Sequence, residues 1–122
     1  MSRVVRMLVA VVVALGAVAG LGACSSHATG VPAGAVVVDV RTPAEYAAGH
    51  LSGAVNLDVE SATFAAQVGR LDTKGQYLLY CRSGSRAGQA ASRMSSMGFA
   101  HVTNLGSIGA AATTTGLAVV TH

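Results

Sequence analysis

The sequence predicts an α/β domain with a mostly parallel central sheet and helices on both faces. Three observations carry this. Short apolar runs of strand length alternate with segments of helical periodicity. The runs at 36–40 and 77–81 are apolar almost throughout, as in strands buried on both faces. Glycines or a Thr-Pro pair stand at several of the joins, where helices stop and start.

The elements run in order. Val36-Val37-Val38-Asp39-Val40 reads as a buried strand. Thr42-Pro43-Ala44-Glu45 opens a short helix, with Thr42 as N-cap, Pro43 at the first helical position and Glu45 closing a capping box. Gly49 ends it. His50 falls in a turn, where a hydrogen bond is expected to fix it, and 53–57 reads as a second short strand. Asp58 is placed to cap a helix over 59–70, with Ala62, Phe64, Ala65 and Ala66 inward. A polar turn at 71–76 leads to the central strand, 77–81. The helix over 86–97 has the clearest period, with Ala87, Ala90, Ala91, Met94 and Met97 on one face and Gly98 as terminator. Its small residues imply close packing on the sheet, and its methionines read as core filling. A strand at 101–104, a weak helix at 106–115 and a last strand at 117–120 complete the domain. Ile108 is the one bulky residue of 107–116, and the chain has no Trp, so a thin core is expected there.

At 122 residues the chain suits one domain, and 52% hydrophobic with 11% charged residues excludes a disordered tail. Part of that apolarity is N-terminal. Arg3 and Arg6 precede an uncharged apolar run over 7–21, the length of a secretory segment and short of a spanning helix. It ends Leu21-Gly22-Ala23-Cys24, which resembles a bacterial lipobox. The resemblance implies cleavage before Cys24 and a diacylglycerol on its sulfur. On this reading 1–23 is a lipoprotein signal peptide, 24–35 a flexible tether and 36–122 the domain, anchored to the membrane and facing the cell envelope or periplasm. The mature chain then keeps six basic residues against five acidic ones, and the formal +3 falls to +1. No basic patch interleaved with aromatics exists, so no nucleic-acid partner is expected.

The chemistry concentrates at Tyr80-Cys81-Arg82-Ser83-Gly84-Ser85-Arg86. A strand ends on a cysteine, and a helix begins within a few residues. Backbone N–H groups and the positive end of the helix dipole point into such a loop. A cysteine held there is expected to exist partly as thiolate, in a cradle for anions to which Arg82 and Arg86 add charge. With Cys24 lipidated, Cys81 has no thiol partner in the chain. A cysteine at a strand end can equally be plain core.

Two stretches carry a family resemblance. One is Asp39-Val40-Arg41-Thr42-Pro43-Ala44-Glu45-Tyr46, continued by Gly49-His50-Leu51-Ser52-Gly53-Ala54-Val55-Asn56-Leu57; the other is the loop from Cys81 to Arg86. Together they resemble a single-domain rhodanese, a thiosulfate sulfurtransferase-like domain. The resemblance implies that Cys81 carries sulfur and that Arg82, Ser83, Gly84, Ser85 and Arg86 bind a small anionic donor. Asp39 and Arg41 are expected to support the site as an ion pair. A thiophilic acceptor, cyanide or a thiol, is the second substrate. No cofactor is implied, and no metal, because His27, His50, His101 and His122 lack ligand spacing.

Two other readings compete. Phosphatases and arsenate reductases on this fold resemble the loop but hold one more residue between Cys and Arg; here Arg86 comes five residues after Cys81, and position 87 is Ala. A membrane-tethered sensing or sulfur-binding module would be modified once at Cys81, whereas an enzyme regenerates it repeatedly.

Overall fold

The computed structural model describes residues 30–122. The signal segment and residues 24–29 of the tether lie outside the described residues. Valine-rich β1, Val36–Asp39, starts the sheet, and α1, Pro43–Ala48, comes next with the full Thr42/Glu45 capping box. Then come β2, His50–Leu51; β3, Val55–Asn56; α2, Phe64–Val68; β4, Gln76–Cys81; α3, Ser85–Ser96; β5, His101–Ser107; α4, Ile108–Thr115; and β6, Val119–Val120. The main sheet runs β3-β1-β4-β5, with every pairing parallel. The β2 and β6 strands form a separate antiparallel pair.

Strand alternation divides the core into two layers. Val38, Val40, Tyr77, Leu79 and Cys81 face Phe64 and Val68 of α2 and Ala87, Ala90 and Met94 of α3. Val37, Leu78 and Tyr80 face the other way, toward Leu51, Ala54 and Ala111, with Tyr46 and Ile108 packed on them. Thus β4 is interior to the sheet and covered on both faces. Its last residue stands where the sheet meets the start of α3, which is how the fold presents a site at a strand's carboxyl end.

Four expectations are corrected. The helix expected over 59–70 shrinks to Phe64–Val68. Asp58 caps a turn, accepting from Glu60 N–H at 2.9 Å, and Ser61 Oγ accepts from Thr63 N–H at 3.1 Å. Such local side-chain bonds compete with helix. Phe64 and Val68, one turn apart, face inward, while Ala62, Ala65 and Ala66 do not join the core. Met97 is also outside, because the helix ends at Ser96 and Gly98, at φ +96°, turns the chain so that Phe99 enters the core. His50 is part of β2, not a turn. Finally, Gly30 N–H donates to Thr114 O at 3.1 Å, and Val31 and Ala35 pack on the second layer. The last six residues of the expected tether therefore lie against the body. No helix among the described residues is long and apolar enough to cross a membrane.

Candidate active site

The site is built on the end of β4. Cys81 is fully buried, and its Sγ accepts from the N–H of Gly84 at 2.9 Å and of Ala87 at 3.4 Å. Both donors are produced by the local sequence. Gly84, at φ +99°, folds the loop back so that its own N–H meets the sulfur. This backbone region costs other residues energy. Gly84 also precedes α3 without a side chain to cap it. The free first-turn amides of a helix ordinarily bond to an N-cap side chain. Here the sulfur of Cys81 takes that place for Ala87.

The remaining loop residues are placed differently from one another. Arg82, Ser83 and Ser85 stand at the loop surface rather than in the core. The N–H groups of Ser85 and Arg86 meet no acceptor among the described residues, so they stay available at the helix N-terminus. Arg82 forms no ion pair among the described residues. Arg86 turns to α1 and grips Glu45 in a fork, with Nη1 on Oε1 at 2.7 Å and Nη2 on Oε2 at 2.9 Å. The Arg86 hydrogen bonds hold the Glu45 carboxyl down at about 2, and the Glu45 bonds raise Arg86 above its ordinary value. The pair is charged at every physiological pH and nearly self-neutralising. Of the two cations expected to serve an anion, Arg82 keeps its charge free and Arg86 shares it.

Asp39 and Arg41 lie elsewhere. Asp39 comes directly after Val38 and so points to the opposite face of the sheet from Cys81. Its carboxylate accepts Arg41 N–H at 2.9 Å and the guanidinium at 2.9 and 2.5 Å. Arg41 reaches on to Gly49 O at 2.6 Å and lies 5.7 Å over the Tyr80 ring. The hydrogen bond to Asp39 raises Arg41 above its ordinary value. Burial raises the Tyr80 phenol, whose oxygen accepts from Leu51 N–H at 2.9 Å. This unit fastens α1 and β2 to the sheet, and among the described residues none of its side-chain hydrogen bonds reaches the loop. His50 stacks on Tyr46 with ring centroids 3.6 Å apart and has Nδ1 2.8 Å from Tyr46 O. It too is distant in role from the sulfur.

Two features have little or no signature in the sequence. Glu45 reads there as a cap, and its pairing with a residue 41 positions later has no local signal. Asn104 reads only as a strand residue. It bonds Gly84 O from β5 at 3.0 Å. One signal for it does exist, since Gly106 inside a strand run marks a bulge or a close backbone approach.

Comparison with known proteins points the same way. The Rhodanese-like domain family matches residues 27–109. Thiosulfate sulfurtransferase PspE of Escherichia coli (strain K12) is 32% identical over 71 residues, which cover 58% of this chain and 68% of that protein. Thiosulfate sulfurtransferase GlpE of Pseudomonas entomophila (strain L48) is 41% identical over 69 residues, 57% of this chain and 62% of that one. Among solved structures, a rhodanese with anions from E. coli aligns with a TM-score of 0.61 at 27% identity, covering 72% of this chain and 99% of its own. The rhodanese-like domain of the Alr3790 protein from Anabaena sp. aligns at 0.61 and 26% identity, covering 70% and 79%.

Proposed function

Because the chain belongs to the rhodanese-like domain family, we propose that it is a sulfurtransferase that moves a sulfane sulfur from a thiosulfate-like donor through a persulfide on Cys81. The carrying observation is the buried Sγ under two backbone N–H donors at the start of α3. The names of the relatives PspE and GlpE support the reaction class.

The chemistry is set by the loop. The Cys81 thiolate attacks the outer sulfur of thiosulfate. The S–S bond of the donor breaks, and its electron pair leaves with sulfite. The new terminal sulfur carries the negative charge, and the loop amides face it. Cyanide or a thiol then attacks that sulfur, and the pair of the persulfide bond returns to Cys81. This is two-step covalent catalysis with no net redox change and no external proton source in the cyanide reaction. Exposed Arg82 and the free amides of Ser85 and Arg86 attract the donor anion, and Ser83 lines the loop beside them. Four residues between Cys81 and Arg86 make a ring small enough to favour one sulfur over a phosphoryl group.

The basic flank, the run over 7–21 and the Leu21-Gly22-Ala23-Cys24 box support export with a lipid on Cys24. On that reading the domain works at the outer side of a membrane.

The test is intact mass. Purified protein treated with thiosulfate should gain one sulfur atom, and cyanide should remove it. Cys81→Ser should gain none and turn nothing over. Substantial turnover by the serine variant, or phosphatase activity without sulfur transfer in the natural protein, would overturn the reading.

A further inference from the structure

The β5 strand does more than pair with β4. The two are in register from Gln76↔His101 to Leu79↔Asn104, and then Cys81 faces Ser107. Two steps along β4 therefore correspond to three along β5. The extra residue is a bulge at 105–106, directly beside the cysteine. A bulge bends its strand and re-aims the residues after it. This one brings Gly106 against the loop so closely that a Cβ on Gly84 would stand 3.2 Å from Gly106 Cα.

Asn104 spans the bulge. Its Oδ1 accepts Gly106 N–H at 2.8 Å, and its Nδ2 donates to Gly84 O at 3.0 Å. The same Gly84 oxygen also accepts Gly88 N–H at 2.9 Å, the first bond of α3. Two donors thus fix the plane of the peptide between Gly84 and Ser85. In a trans peptide the C=O and N–H point in opposite directions. With Gly84 O held toward β5 and the helix, Ser85 N–H must point the other way, past the N-terminal end of α3 into the loop. On the other side of Gly84, its own N–H bonds the sulfur.

We propose that Asn104 is a positioning residue for sulfur transfer. It clamps the peptide between Gly84 and Ser85, keeping Gly84 N–H on Cys81 Sγ and Ser85 N–H free for the transferred sulfur. The proposal rests on the sulfurtransferase reading for its catalytic consequence but not for the clamp itself. Two variants divide the side chain's roles. Asn104→Ala loses both bonds. Asn104→Asp keeps an acceptor for Gly106 N–H but has no donor for Gly84 O.

The clamp is read by amide hydrogen exchange on the full chain, monitored by NMR. One lost hydrogen bond corresponds to about a five-fold change. Exchange at Gly84 should therefore quicken about five-fold or more in both variants. Ala90, deep in α3, should keep its natural rate and serve as the control for global stability. In the same variants kcat/KM for thiosulfate should fall by a similar factor, because the affected amides face both the donor anion and the sulfur being transferred. Gly84 exchange unchanged, or quickened only in step with Ala90, would overturn the clamp. Loss of Gly84 protection in Asn104→Ala but not in Asn104→Asp would also overturn it, since the Gly106 bond alone would then suffice. A natural protein that takes up no sulfur would refute the function reading, and the exchange data would still decide the clamp.

Discussion

At the bond between Glu45 and Arg86, changing either side chain should cost stability, but the two changes should move substrate use in opposite directions. The two side chains are 31% and 20% exposed, and the guanidinium meets both carboxylate oxygens within 2.9 Å. An exposed ion pair contributes about 0.2–1 kcal/mol, and fork geometry with partial burial places this one at the upper end, about 1 kcal/mol. In a domain of this size that is a fall of about 4–8 °C in melting temperature. A double-mutant cycle of Glu45→Gln and Arg86→Ala, measured by urea unfolding, should give a coupling near that figure, weaker in about 1 M salt. Glu45 is held at about 2, well below its ordinary 4.5. Its stabilisation is therefore present above pH 4.5 and lost as pH falls through about 2. The kinetics separate the two partners. Arg86→Ala leaves the Glu45 carboxylate uncompensated beside the loop and should lower kcat/KM for dianionic thiosulfate. Glu45→Gln frees the guanidinium and should raise it, each by about three- to ten-fold for about 1 kcal/mol of charge interaction. A coupling below about 0.3 kcal/mol would remove the energetic premise. Equal loss of thiosulfate use in both single variants would show that Arg86 acts through Glu45 alone.

Three further outcomes are expected. Gly84→Ala must hold an L side chain at φ +99° and 3.2 Å from Gly106 Cα, so it should lose about 2 kcal/mol of stability and at least about ten-fold in turnover; near-natural turnover would contradict the role given to that amide. Asp39→Asn leaves the buried Arg41 guanidinium without its carboxylate and should cost about 3 kcal/mol in denaturant unfolding. Turnover per folded molecule should survive, since Asp39 faces away from the sulfur, and its loss would assign Asp39 a direct part. In bacterial expression, Cys24→Ala should accumulate as unlipidated precursor by mass spectrometry; natural protein recovered in the cytosol with Met1 and no lipid would refute anchoring.

The α/β alternation, the capping box and the Cys81 loop are legible in the sequence because each is a local pattern. Thr42, Pro43 and Glu45 lie within one turn, and the loop comes directly after the strand that positions it. The hidden features are long-range. The β2 strand is two residues, too short for a period to register, and its pairing with β6 joins His50 to Val120 at the far end of the chain, so the strand expected at 117–120 is found outside the main sheet. The stretch 59–70 has helical composition, but Asp58 and Ser61 commit their oxygens to turns before Phe64 can start a helix. The fork on Glu45 and the Asn104 clamp depend on which elements become neighbours; nothing local encodes the fork, and for the clamp Gly106 is the one local hint.

Cys81 is an atom of the core as much as of the site. Its side chain sits with Val38, Val40, Ala87 and Ala90 in the same apolar layer. The wall behind the sulfur is thus made of close-packed groups that cannot retreat without moving α3 from the sheet. On the proposed reaction, sulfur attached to Cys81 must be fitted beside that wall under the loop amides, and anything bulkier strains the packing that holds the domain together. On the proposed function, loading of the sulfur should therefore shift the melting temperature of the whole fold. A thermal scan of loaded and empty protein reads it without a substrate assay.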